Sequence, residues 1–429
     1  MLKKIAVEEV RLGMHLHELC GTWLDHPFWK TKFVLRDPAV LAKLQASGVA
    51  QCWIDTCKGV DVAAPPPAAP PSAAAPAVIE VVALAAPEAP PSQAARQAAP
   101  PAQVHERTSM DEELGRAAAL IQQSRQAVQS LLAEARMGYA VDAQTCLPLV
   151  ADIAGSAWRN SGALVSLARL KTHDDYSYMH SVAVCALMVT LARQLGQNEA
   201  QAREAGLAGL LHDIGKATMP LEVLNKPGKL TSAEYEVIKR HPQRGHQLLS
   251  ASEGVGPVAL DVCLHHHERP DGKGYPQGLA GDAISLPAKM GALCDVYDAI
   301  TSNRPYKAGW DPAESVSRMA EWTRSGQFDS GLFQVFVKSL GIYPNGSLVR
   351  MVSGRLGVVT EQNPQVLVAP RVKVFFSTRT QAPIAVEVLD LSHPACVDRI
   401  TARESNQVWK FTHLDELWAG ADTLRKLGK

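Results

Sequence analysis

Between residue 63 and about residue 103 the chain is almost entirely alanine and proline with a few serines. Proline removes a backbone donor and alanine offers little apolar surface, so such a stretch cannot build a core of its own. It divides the chain into parts that must fold separately, with a linker over residues 63–108. The run Val78-Ile79-Glu80-Val81-Val82-Ala83-Leu84 interrupts it and is β-prone.

Residues 1–62 hold short apolar runs at 5–12, 23–34 and 50–55, separated by turn residues, and read as a small, mostly β domain. His15, His17 and His26 lack carboxylates at ligand spacing there and read as ordinary polar residues. Residues 109–137 form one helix, in which Leu114, Ala118, Ile121, Arg125, Val128, Leu132 and Ala135 recur in alternating steps of four and three. That stripe suits either a homodimer seam or packing on the chain's own following domain. Residues 140–342 are dominantly helical. Thr231-Ser232-Ala233-Glu234 is a capping box that opens a helix running through His241 and Leu249, and Asp311-Pro312-Ala313-Glu314 opens another. Residues 343–429 read as a small β-rich extension, with strands near 348–352, 358–360, 366–368, 372–376 and 384–388 and a short helix over 414–427. The expected fold is multi-domain and mainly α.

Lysine plus arginine and aspartate plus glutamate both number 43, so no global charge favours a nucleic-acid polymer or an anionic membrane. Two glutamates precede any apolar core at the start, unlike a signal peptide, and no uncharged apolar run reaches membrane-spanning length. The expectation is a cytoplasmic protein. The 8 cysteines have no zinc-ligand or disulfide-scaffold spacing and are expected to be reduced.

The stretch His265-His266-His267-Glu268-Arg269-Pro270-Asp271-Gly272-Lys273-Gly274-Tyr275-Pro276 is hard to explain by packing. Neutral imidazoles ligate iron, manganese or zinc, and neighbouring histidines at a helix end can serve neighbouring ions. His180, His212-Asp213, His241 and Asp295 add imidazoles and carboxylates from other helices. His212-Asp213 follows the apolar Leu207-Ala208-Gly209-Leu210-Leu211, and a charged pair at a buried helix end needs a partner. With metal as that partner, the histidine holds one ion and the aspartate bridges to a second. Two ions roughly 3.5–4 Å apart lower the pKa of a shared water to about 7 and clamp a phosphate during in-line attack. Lys216, Arg304 and Lys307 would then meet its non-bridging oxygens, the alternative being a solvated basic face.

These motifs, with Lys226-Pro227-Gly228-Lys229-Leu230-Thr231, His241-Pro242, Asp295-Val296-Tyr297-Asp298-Ala299 and Arg304-Pro305-Tyr306-Lys307, strongly resemble the HD-GYP phosphodiesterases, a bacterial subgroup of the HD metallohydrolases. The resemblance covers residues 140–342. Residues 1–62 look like the small domain of unknown function that often precedes such domains. It implies a helical-bundle HD-type catalytic domain that hydrolyses cyclic di-GMP to pGpG, and often onward to GMP, by attack of a metal-bridging hydroxide. It also implies His180, His212, Asp213, His241, His266, His267 and Asp295 as ligands to two divalent ions, iron or manganese. Asp213 bridges in this scheme, and with Lys216 it forms the catalytic pair. Asp174, Lys216, Arg304 and Lys307 lie where the family contacts its ligand. The loop Gly274-Tyr275-Pro276 is its signature, implicated in shaping the site and in contacts with diguanylate cyclase domains, with glycine permitting a tight turn.

Members that bind three metals carry a glutamate four residues before the first ligand histidine. Tyr176 stands there in this chain, so a binuclear centre and pGpG as main product are expected. His265 and His246 fall outside the ligand set. The alternatives are a metallophosphohydrolase of another cyclic dinucleotide and a non-catalytic cyclic di-GMP receptor or interaction module.

Overall fold

The computed structural model describes residues 2–20, 33–35, 38–45, 51–60, 107–170, 176–226, 228–302 and 309–428. The Ala/Pro-rich stretch, His26, Asp174, Arg304 and Lys307 lie outside them. The chain separates into two compact units, Met1–Pro101 and Ala102–Lys429.

In the first unit, β1 (Leu2–Ala6), β2 (His15–Cys20), β3 (Phe33–Val34) and β4 (Gln51–Asp55) form an antiparallel sheet in the order β1-β4-β2-β3. Period-two alternation sends Cys52 and Ile54 of β4 into a small core with Ile5, Val7, Met14, Leu16, Leu35 and Leu44. The expected β domain also carries a helix that patterning did not indicate, α1 (Pro38–Gln45), which supplies Leu44. Proline at its first position suits the helical φ and lacks an N–H that would go unpaired there.

The second unit opens with α2 (Met110–Arg136), capped by the Ser109 hydroxyl, which accepts from the Glu112 N–H. Leu114, Ala118, Ile121, Val128 and Ala135 of the heptad stripe are buried in this chain's own helical core. The stripe therefore packs internally, which favours the second of the two readings of this helix. Glu113, also buried, binds the Arg159 guanidinium through two hydrogen bonds and accepts from Ser156.

The bundle continues through α3 (Leu147–Arg159), α4 (Ser161–Ala168), α5 (Tyr176–Gln194), α6 (Glu199–Leu211), the short α7 (Leu221–Leu224), α8 (Ser232–Ile238), α9 (His241–Ser250) and α10 (Pro257–His265). It closes with α11 (Leu286–Thr301), α12 (Pro312–Arg324) and α13 (Ser330–Leu340). The predicted caps form: Thr231 and Glu234 complete their box, and Asp311 accepts from the Ala313 and Glu314 N–H groups. Each cap is worth about 1 kcal/mol. The single helix expected from Thr231 to Leu249 is, however, two helices. Pro242 would clash with the Ile238 carbonyl four residues back, so the chain breaks at Lys239 and Arg240 and restarts at His241.

β5 (Leu348–Met351), β6 (Arg355–Glu361), β7 (Arg371–Ser377), β8 (Ala382–Asp390) and β9 (Ile400–Arg403) form an antiparallel sheet ordered β8-β7-β6-β5-β9. The strand expected at 366–368 is instead a turn between Pro364 and Pro370, where Asn363 Oδ1 accepts from the Gln365 and Val366 N–H groups. β9 and a helical turn, α14 (Asn406–Trp409), had no clear signal. The terminal helix is two, α15 (Leu414–Ala419) and α16 (Ala421–Lys426), separated by Gly420 at φ 81°. Trp418 and Leu427 join the helical core, so this segment is packed into the second unit. Among the described residues no helix is long and apolar enough to cross a membrane.

Candidate metal centre

Apolar packing of α5, α6, α9, α10 and α11 brings seven polar side chains from separate helices to one buried point. His180 lies in the first turns of α5, Asp295 on α11, and His212 at the C-cap of α6 with Asp213 next to it. His241 is the first residue of α9, and His266 caps α10. The close approach of α9 depends on Gly215, where a Cβ would meet the His241 carbonyl oxygen at 1.9 Å.

Two groups result, Asp213 with His241, His266 and His267, and His180 with His212, Asp213 and Asp295. Within each group the ligand atoms lie within 4.8 Å of one another. Asp213 belongs to both, Oδ1 facing His241 Nε2 at 3.1 Å and Oδ2 facing His180 Nε2 at 3.2 Å. The structure thus brings together all seven side chains singled out from sequence.

The backbone sets the tautomers. His212 Nδ1 contacts the Gly209 carbonyl at 2.8 Å, His241 Nδ1 that of Ile238 at 2.8 Å, and His266 Nδ1 that of Val262 at 3.0 Å. A carbonyl can only accept, so each Nδ1 carries the proton and each neutral ring turns an Nε2 lone pair inward. The Pro242 break serves this arrangement, because it frees the Ile238 carbonyl for His241. His241 Nε2 and His266 Nε2 then stand 3.3 Å apart, the latter 3.7 Å from Asp213 Oδ1. These are converging acceptors with no donor between them. His212 Nε2 and Asp213 Oδ1 are buried without a hydrogen bond of acceptable geometry. A cation satisfies this donor set, and two four-residue groups sharing a carboxylate fit a binuclear metal site.

The protonation states agree. Burial opposes ionisation of Asp213 and Asp295, but Lys216 and His180 around the first, and His180 around the second, hold both carboxyls well below their usual range. Burial pushes His241 down against the pull of Asp213, and pushes His266 down and His267 to about 3, with neighbouring imidazoles adding to the effect on these two. His180 differs. Burial disfavours its charge, but Asp213, Asp295 and Asp298 outweigh that and raise it to about 10.

Lys216 pairs with Asp213 Oδ2, and its side chain is 36% exposed. Tyr275 stacks on His267, ring centroids 4.6 Å apart at 24°. The tight-turn role expected of Gly274 belongs to Gly272, at φ 73°. Gly274 is instead required for close approach, since a Cβ there would lie 2.4 Å from the Arg269 nitrogen. Tyr275-Pro276 is a cis peptide. His265 stands outside the cluster with Nδ1 2.8 Å from Asp261 Oδ1, and His246 contacts Ser250.

Sequence reasoning passed over Asp298 and Glu268. Asp298 Oδ2 lies 2.6 Å from His180 Nδ1, fixing the ring from behind. Its signal was the three-residue spacing from Asp295 on one helix face. Glu268, 1% exposed, accepts from the Gln277, Gly278 and Leu279 N–H groups at 2.6, 3.1 and 2.9 Å and ties the glycine-rich loop to its carboxylate. A lone glutamate within a charged loop carries no such signal.

A helical bundle with adjacent His212-Asp213 at its centre defines an HD-domain protein. Residues 163–332 match the family model described as an HD domain, and residues 2–146 match a domain of unknown function, DUF3391. The chain is 52% identical over 421 residues to the cyclic di-GMP phosphodiesterase PA4108 of Pseudomonas aeruginosa, covering 98% of this chain and 96% of the relative. It is 50% identical over 121 residues to the cyclic di-GMP phosphodiesterase response regulator RpfG of Xanthomonas campestris, 28% of this chain and 32% of the other. It is 40% identical over 165 residues to the 3'3'-cGAMP-specific phosphodiesterase 1 of Vibrio cholerae, 38% of each. The chain belongs to the HD-GYP family, with an N-terminal DUF3391 domain.

Proposed function

We propose that this chain is a metal-dependent cyclic di-GMP phosphodiesterase. The observation that carries the reading is Asp213, shared by two buried His/Asp groups in a chain 52% identical over nearly its whole length to a cyclic di-GMP phosphodiesterase. His241, His266 and His267 would hold one ion and His180, His212 and Asp295 the other, with Asp213 bridging. A bound metal pair supplies an activated water and Lewis-acid stabilisation of the phosphate. Imidazole and carboxylate ligands suit iron or manganese.

Within this reading the chain's own groups bind and orient the phosphodiester. Lys216, beside Asp213, neutralises phosphate oxygens, and Arg304 and Lys307 contribute further positive charge. Asp174 and the Gly274-Tyr275-Pro276 loop border the substrate, and the loop also offers a contact for diguanylate cyclase domains. Residues 140–342 form the catalytic domain, with residues 1–62 and 343–429 as flanking parts. With Tyr176 in place of a third-metal carboxylate, pGpG is the main product.

The similarity to a 3'3'-cGAMP-specific enzyme supports a second substrate reading, hydrolysis of that hybrid dinucleotide. One assay tests both. Full-length protein, loaded with iron or manganese without air, is incubated with each dinucleotide and the products are separated. Cyclic di-GMP should give pGpG at the higher kcat/KM. Turnover of 3'3'-cGAMP alone would favour the second reading, and no turnover with two metals bound would identify a receptor.

A further inference from the structure

A cavity of about 300 Å³ lies away from the metal centre, between the start of α2, α4, the last turn of α5, the end of α13 and the loop after β6. Thr190, on its wall, is ten residues beyond His180 on α5, which is about 15 Å along the helix. Arg107, Arg169, Arg193 and Lys338 line it. Its other charged residues are neutralised elsewhere, Arg159 by Glu113 and Glu361 by Arg371 at 3.0 Å. None of the first four forms an ion pair among the described residues.

The decisive group is Arg169. It is 9% exposed, yet among the described residues its guanidinium donates only to the Asn345 carbonyl, at 3.1 Å, packs over Trp418 at 5.7 Å, and feels the buried Asp311 carboxylate without forming an ion pair with it. Arg193, half-buried, donates to the Ala157 carbonyl and lies over Trp158 at 4.3 Å. A carbonyl or a ring face offsets only part of the desolvation of a buried cation. Burial and the repulsion of Arg107 act in the same direction on Arg193 and lower its pKa. Two partly desolvated guanidiniums with two exposed cations at the rim need an oxyanion of more than one charge. A phosphoryl group carries about −1.5 to −2 and accepts through three oxygens, which suits the guanidinium fork.

We propose that this cavity binds a small phosphorylated metabolite at a site separate from the metal centre. The test titrates full-length, metal-loaded protein with inorganic phosphate and ribose 5-phosphate by calorimetry, with citrate as a carboxylate control. Wild type should bind phosphate at two sites per chain, because the metal centre also attracts it. R193Q and K338Q should each weaken one site at least tenfold while leaving metal content unchanged, and ribose 5-phosphate should bind there more tightly than citrate. A single site in wild type, isotherms unaltered by both substitutions, or tighter binding of citrate would overturn the proposal. Lys338 is exposed and K338Q leaves the core intact, so it decides the matter even if R193Q does not fold.

Discussion

His180 Nδ1 and Asp298 Oδ2 are 2.6 Å apart in the protein interior, while the opposite nitrogen of the same ring stands 3.2 Å from both Asp213 and Asp295. Asp295 and Asp298 are one helical turn apart on α11, so one face supplies a carboxylate in front of the imidazole and another behind it. Replacing Asp298 by alanine should weaken metal binding about 10–100-fold without removing a ligand. Metal titration of D298A checks this, and wild-type affinity would show that the rear carboxylate only packs.

Asp213 is common to both ligand groups. D213A should lose both ions and all measurable turnover while the bundle stays folded, because removing a carboxylate also relieves a buried charge. Elemental analysis with circular dichroism distinguishes this from unfolding. Two ions retained in D213A would mean that the bridging role is wrong.

At Gly274 there is no room for a methyl group beside the Glu268 and Arg269 backbone. G274A should shift the loop, part Tyr275 from His267 and cost about 1–3 kcal/mol of stability by overpacking. We expect turnover to fall at least tenfold with metal content nearly intact. Thermal denaturation and kcat measured side by side test this; an unchanged kcat would remove the loop from the site.

Glu113 is buried against Arg159. Burial by itself would raise its pKa, but hydrogen bonds from Arg159 and Ser156 outweigh it and hold the carboxyl below the usual range. A carboxyl depressed in the folded state contributes stability above its unfolded pKa of about 4.3 and loses that contribution as pH falls through the folded value. E113Q should cost about 2–3 kcal/mol at neutral pH and flatten the acid limb of the stability curve. Urea unfolding from pH 7 to 3 measures both, and parallel curves for the two proteins would rule the pair out as a source of acid sensitivity.

Leu114 on α2 is 1% exposed within its own unit. L114A should therefore destabilise the chain by about 2–5 kcal/mol, a core cavity effect, whatever the protein concentration. A loss that grows on dilution would favour the dimer-seam reading.

The converging histidines and aspartates are legible because His212-Asp213 follows an apolar run and a histidine pair precedes a glycine-rich loop, patterns that core packing does not explain. Helix caps were legible for a similar reason, since a cap is a contact within three residues. The Thr231–Leu249 break is set by the clash of Pro242 with the Ile238 carbonyl, which the capping signal at Thr231 does not report. The 366–368 strand failed because two prolines and the Asn363 turn override β propensity.

Sequence by itself determined the division at the Ala/Pro stretch, the mainly helical class and the identity of the seven converging side chains. These rest on composition, on periodicity and on motifs whose residue types are chemically scarce. Only the tertiary structure decided that the α2 stripe faces inward, that Asp298 and Glu268 support the centre, and that Arg169 lies buried without an ion pair among the described residues. Those facts depend on which distant segments meet. Apolar burial sets such meetings without direction, whereas a hydrogen bond or an ion pair is decided within a few tenths of an ångström.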